Sequence, residues 1–97
     1  MLTRGYVGSQ STGTSAGTRV FGEEPAGAIN GANVVFLATQ KFTPGSEALF
    51  LNGVRQRFGG SNDYTRAESV PAAGFDQVIF TLAPRAGDVV LLDYGVV

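Results

Sequence analysis

Residues 49–58 read LFLNGVRQRF. The central Asn52-Gly53 pair is the signature of a two-residue hairpin turn of type I′, in which both central residues take positive φ. Such a turn sets the register: Leu51 faces Val54, Phe50 faces Arg55, Leu49 faces Gln56 and Ala48 faces Arg57. Side chains alternate between the faces of a sheet. One face of the hairpin therefore carries Leu49, Leu51 and Val54, and the other carries Phe50 beside Arg55 and Arg57. The first face supplies a core. Neither face is plainly the wet one, so the second is expected to be covered, by the N-terminal arm or by another chain.

Reading outward, turn signals recur at short intervals. Asn30-Gly31 marks a turn before a strand near Asn33–Ala38. Thr43 to Ser46, TPGS, is a Pro-Gly turn leading into a strand at about Ser46–Leu51, and the return strand spans Val54–Arg57. Gly59 to Asp63 is a loop, the DYTRA segment from Asp63 is a short strand, and Ser69 to Gly74 is a second loop. Asp76 to Leu82 alternates, with Val78, Phe80 and Leu82 on one face. Ala83 to Gly87, APRAG, places proline at the second position of a type I turn. The last strand, Asp88 to Tyr94, is almost continuously apolar, as a strand covered on both sides would be. No segment keeps a helical period over three turns. Six or so short strands joined by tight turns predict an all-β fold, a small antiparallel β sandwich or barrel.

The segment before residue 25 has a different character. Gly8 to Thr18 contains only Gly, Ser, Thr, Gln and Ala. It cannot bury enough apolar surface to offset its ordering entropy. Residues 1–24 are therefore expected to form an extended N-terminal arm and residues 25–97 the β domain. Leu2, Tyr6, Val20 and Phe21 flank the polar stretch and are the expected anchors where the arm meets a partner.

Composition removes several classes of function. The chain of 97 residues holds no Cys and no His, so neither disulfides nor the usual zinc and iron–sulfur ligands are present. Seven basic and eight acidic residues give a formal charge of -1. A nucleic-acid binder would show a basic excess, so none is expected as a partner. No segment approaches the roughly 18 apolar residues of a membrane span, and MLTRGYVGSQ lacks the apolar run of a signal peptide. No nucleophile and base can be paired without histidine, and Lys41 is the only lysine. Glu23-Glu24 point apart if extended, and Asp88 sits where aspartate commonly bonds a turn backbone. Ser61, Asn62 and Asp63 supply oxygen ligands but lack the acidic density of a calcium loop. Catalytic, cofactor and metal residues are therefore all expected to be absent. Aromatic and arginine residues are enriched among interface anchors, which makes Phe50, Arg55 and Arg57 candidates for a contact between chains. Tyr64 and Arg66 are candidates for recognition of a surface, including a host glycan.

Four segments in order carry a resemblance. They are an opening of the E-P-G-x-I-N/D-G-x-N kind at Glu24 to Asn33, LFLNGVRQ at Leu49 to Gln56, Asp63-Tyr64, and IFTLAPRAGD…DY at Ile79 to Tyr94. Together they resemble a small β domain of tailed-bacteriophage virion proteins, over roughly residues 22–94. The stretch from Arg66 to Gln77 is longer than the tight turn usual there. The resemblance implies a virion structural protein and not an enzyme, built in the host cytoplasm and carried in the particle. Its implied partners are other virion proteins, either the major capsid protein or neck and tail proteins, and homotrimers suit such positions. A chain of arm plus domain, with no shaft, favours a capsid cement or head-decoration protein. A neck, tail or fibre component and a glycan-binding adhesin domain are the alternatives.

Overall fold

A computed structural model describes residues 18–69 and 74–97. They form seven strands: β1 Arg19–Glu23, β2 Val35–Phe42, β3 Ala48–Leu51, β4 Val54–Arg55, β5 Tyr64–Ala67, β6 Phe75–Phe80 and β7 Val90–Gly95. Two antiparallel sheets result, one in the order β1-β7-β3-β4 and the other β2-β6-β5. The sandwich expected from the turn spacing is the observed architecture.

The hairpin has the register its turn demands, with Phe50 opposite Arg55 and Leu51 opposite Val54. Asn52 and Gly53 take φ of 52° and 83°. The turn is held from outside as well. The Asn52 amide N–H donates to Val89 O at 2.8 Å, and its side-chain oxygen accepts from Val89 N at 2.8 Å. Asp88 then accepts from the Asn52 side chain at 3.1 Å and from Arg85 N at 2.8 Å. The aspartate thus has the turn-stabilising role expected of it.

The core lies between the sheets. Leu49, Val90, Leu92 and Tyr94 enter it from the first sheet and Phe36, Phe42, Tyr64, Val78 and Phe80 from the second. Phe36 meets Phe80 edge-on at 5.5 Å, and Phe42 bridges the sheets to Tyr94 at 5.7 Å. The apolar run of β7 is covered on one face only, not on both as expected. Paired on both edges, the strand buries Val90, Leu92 and Tyr94 inward and turns Leu91 to the outer face, half-buried.

Both sides of the sandwich are stitched. Ala26 pairs with Leu37 and Phe42 with Val96 on one side, and Phe58 pairs with Tyr64 on the other. These bridges cover strand edges that would otherwise invite unplanned pairing. Gly27 belongs to the first seam: a Cβ there would fall 2.6 Å from a Phe36 ring carbon and 2.9 Å from Val35 O.

Several boundaries differ from the sequence reading. Residues 19–23 are not part of an arm; they form β1, with Arg19 opposite Gly95 and Val20 opposite Tyr94. Val20 packs against the core, whereas Phe21 is 72% exposed. A one-residue bulge between Val20 and Glu23 centres on Gly22, whose φ is 68° and whose N–H donates to Asp93. Low apolar content hid this strand. It contributes one core side chain and otherwise completes a hydrogen-bond ladder. Leu82 is 81% exposed, because β6 ends at Phe80 and the alternation stops with it. The turn near Pro84 is displaced to Arg85–Asp88, with Gly87 at φ 96°, while Pro84 itself is buried and its carbonyl accepts from Gly31 N at 2.7 Å. Val54 shares a face with Leu51 but is 64% exposed, since the hairpin tip projects past the core. Leu2, Tyr6 and nearly all of the Gly8–Thr18 stretch lie outside the described residues, as do residues 70–73 of the long loop.

Candidate functional site

Three arginines converge where the edges of β4 and β5 meet. Gly45, Glu47, Arg55, Gln56, Arg57, Phe58, Tyr64 and Arg66 line a cleft of about 560 Å³ there. That volume is within the range of binding sites for small molecules or peptide side chains.

Glu47 forms its inner wall. It is only 4% exposed, the one buried charged residue among those described. Its placement follows from alternation: Glu47, Leu49 and Leu51 share a face, so the strand that buries Leu49 also turns Glu47 inward. Burial of a carboxylate demands partners, and three are supplied. Gly45 N donates to Oε1 at 2.9 Å, while Tyr64 Oη at 2.9 Å and an Arg66 Nη at 2.7 Å donate to Oε2. Tyr64 and Arg66 arrive together because they are two apart on β5 and face the same way. The Arg66 guanidinium also stacks on the Phe58 ring, 3.8 Å from its centroid. Burial pushes the Tyr64 hydroxyl pKa up, and the hydrogen bond to Glu47 and its negative charge push it further; Arg66 and Arg55 oppose them.

The other two arginines are held by backbone. Arg55 sits on β4 opposite Phe50. Arg57 follows the strand, its N–H donating to Asp63 Oδ2 at 2.8 Å and its carbonyl accepting from Asp63 N and Tyr64 N. Both side chains are exposed, and neither makes an ion pair among the described residues. The loop considered for calcium is occupied with itself. Asp63 holds Arg57, Asn62 donates its side-chain amide to Phe58 O at 3.0 Å, and no group of three or more His, Cys, Asp or Glu converges among the described residues.

The outer face of the first sheet adjoins this cleft. Phe50 and Leu91 are cross-strand neighbours on it, both half-buried, with Arg55 beside Phe50. At the far edge Arg19 lies 5.5 Å from the ring of exposed Phe21. The structure therefore places Phe50 and Arg55 together on one face and brings Arg55, Arg57 and Arg66 into one cleft. It separates Phe21 from them and moves Val20 into the domain's own packing. Tyr64 is corrected: at 3% exposure it is core, and its hydroxyl is committed to Glu47. Arg66 is likewise committed to Glu47 and to Phe58. The alternation of β5 turns Tyr64 into the core, while Arg66 on the same face lines the cleft with its side chain 19% exposed.

A second polar clasp joins the sheets at the opposite seam. Glu23 accepts from Tyr94 Oη at 2.6 Å, Thr39 Oγ1 at 2.7 Å and Thr39 N at 2.8 Å. Burial would raise the Glu23 pKa, but the bonds from Tyr94 and Thr39 together outweigh it and hold the carboxyl below its ordinary value. Sequence reasoning passed over Glu47 and treated Glu23 only as half of an adjacent pair. The period-two pattern carried the signal for Glu47. Nothing in the sequence marks Glu23, whose reach depends on the bulge at Gly22.

Comparisons with protein-family models, with curated proteins and with solved structures gave no match.

Proposed function

We propose that the chain is a structural protein of a tailed-bacteriophage virion, a capsid cement or head-decoration protein assembled in the host cytoplasm. The observation that carries an assembly role is the outward, half-buried Phe50–Leu91 pair on a sheet whose inner face already fills a core. An aromatic flanked by arginine on such a face is a usual composition for an interface anchor. The four sequence segments that resemble virion β domains supply the context. Those segments also have structural reasons. Asn30 accepts from Ala32 N and Asn33 N, both at 2.9 Å, and the adjoining Gly31 bonds Pro84, tying the opening segment to the closing one.

The glycan reading is weakened. Of the residues expected to serve it, Tyr64 is buried, and Arg66 is engaged by Glu47 and stacked on Phe58. The expected oligomer is a trimer, with a light-scattering mass three times the 10.1 kDa of one chain. The test is composition of gradient-purified particles from a phage encoding this chain. The chain should band with the capsid, and Phe50→Asp should reduce its incorporation while leaving the domain folded. A chain missing from purified particles overturns the reading; one found only on isolated tails moves it to the neck or tail.

A further inference from the structure

We propose that the cleft between β4 and β5 receives a carboxylate side chain of a partner polypeptide, gripped by Arg55 and Arg57. This deepens the assembly reading above and rests on it for the choice of a polypeptide.

The electrostatics come first. Three of the seven basic residues of a chain with net charge -1 line this single cleft, against one carboxylate, so the lining carries an excess of two positive charges. Arg66 neutralises Glu47 at 2.7 Å. Arg55 and Arg57 are left exposed, with no ion pair among the described residues. Two like charges on one short segment repel, and a bound anion relieves that repulsion. Guanidinium groups match the planar carboxylate with paired hydrogen bonds.

Their placement is fixed before any ligand arrives. Arg55 is in register with Phe50, and Arg57 has its backbone N–H and carbonyl both bonded to the Asp63–Tyr64 segment. Little backbone ordering remains to be spent on binding.

The type of ligand follows from what is already occupied. A sugar ring would need an open aromatic face. The Phe58 ring, in a residue 47% exposed, already carries the Arg66 guanidinium on one face, 3.8 Å from its centroid, and Tyr64 at 3% exposure offers none. A polypeptide fits better, because Arg55, which lines the cleft, is the cross-strand partner of Phe50 on the outer face. An extended segment could rest an apolar side chain on Phe50 and place a Glu or Asp side chain between the arginines.

The test uses the full chain and two labelled heptapeptides, one alternating valine with glutamate and one alternating valine with glutamine. Binding is followed by fluorescence anisotropy and by NMR of the arginine Nε–H groups. The glutamate peptide should shift Arg55 and Arg57, bind at least about tenfold more tightly than its glutamine counterpart, and lose that advantage in 0.5 M salt, roughly as screening at such ionic strength requires. Arg57→Gln and Arg55→Gln should each weaken it about tenfold, the loss of one charge-assisted contact. Both side chains are exposed, so the variants should keep the wild-type amide spectrum. Equal binding of the two peptides, or shifts elsewhere on the domain, overturns the proposal. So does inorganic phosphate or sialyllactose moving the arginine signals when the glutamate peptide does not. Because the assay needs no particle, a chain absent from virions would end the virion reading while leaving this result to stand on its own.

Discussion

Removing the Glu47 carboxylate should be among the costliest single changes in the domain. In Glu47→Ala the Arg66 guanidinium loses its counter-charge, and Tyr64 Oη and Gly45 N each lose their acceptor. Breaking a buried ion pair by deleting one partner costs about 3–5 kcal/mol, because the other charge is left uncompensated. Arg66 lowers that figure, since its side chain is 19% exposed beside an open cleft and can turn toward water. Tyr64 raises it, because an orphaned hydroxyl at 3% exposure costs about 1–3 kcal/mol. The two effects share one site and do not add fully. A net loss of about 3 kcal/mol is expected, a large part of the roughly 5–15 kcal/mol that holds such a domain together. Urea unfolding followed by far-UV circular dichroism measures it, which suits a chain without tryptophan. Glu47→Gln keeps the shape and should lose about half as much, as neutral bonds replace charged ones. Glu24→Ala, at an exposed neighbour of the other clasp, should stay within about 0.5 kcal/mol. A loss below about 1 kcal/mol for Glu47→Ala would show that the Glu47–Tyr64–Arg66 cluster does not hold the two sheets as described.

The hairpin and the Glu23 clasp can be tested in the same way. Gly53 sits at φ 83° with open space where a Cβ would go, so Gly53→Val should cost about 1–2 kcal/mol of pure backbone strain, and a loss of only a few tenths in a urea melt would refute the turn assignment. The Glu23 pKa is lowered in the folded state, so its clasp stabilises the protein above the ordinary carboxylate value and is lost as pH falls through the lowered one. The stability gap between wild type and Glu23→Gln should therefore be full at neutral pH and shrink on acidification; a gap that does not change with pH would contradict this.

What was legible in the sequence was whatever depends on turn chemistry and alternation. Asn52-Gly53 gave the register of β3 and β4, and Pro44-Gly45 gave the turn before them, closed by Ser46 N donating to Thr43 O at 3.0 Å. The outward position of Phe50 followed from the inward position of Leu49. Alternation would also have placed Glu47 inward, opposite Tyr64 and Arg66, but a single acidic residue after a turn looks like surface until the strand is extended back through it. β1 was hidden for a different reason. Its stability comes from backbone pairing with β7 and from a bulge at Gly22, features that leave no apolar period. The cleft was partly visible as a set of residue types, but the division of labour among its arginines was not. Only the distances separate Arg66, spent on Glu47 and Phe58, from Arg55 and Arg57.

The central claim is that the Phe50–Leu91 face is a contact with another protein chain. Under the proposed virion reading, a side-chain-resolution reconstruction of particles from a phage encoding this chain tests it directly. The account predicts the β sandwich on the capsid, with Phe50 and Leu91 covered by a neighbouring chain and an acidic side chain beside Arg55 and Arg57. A sandwich bound to the particle with that face turned to solvent would contradict it.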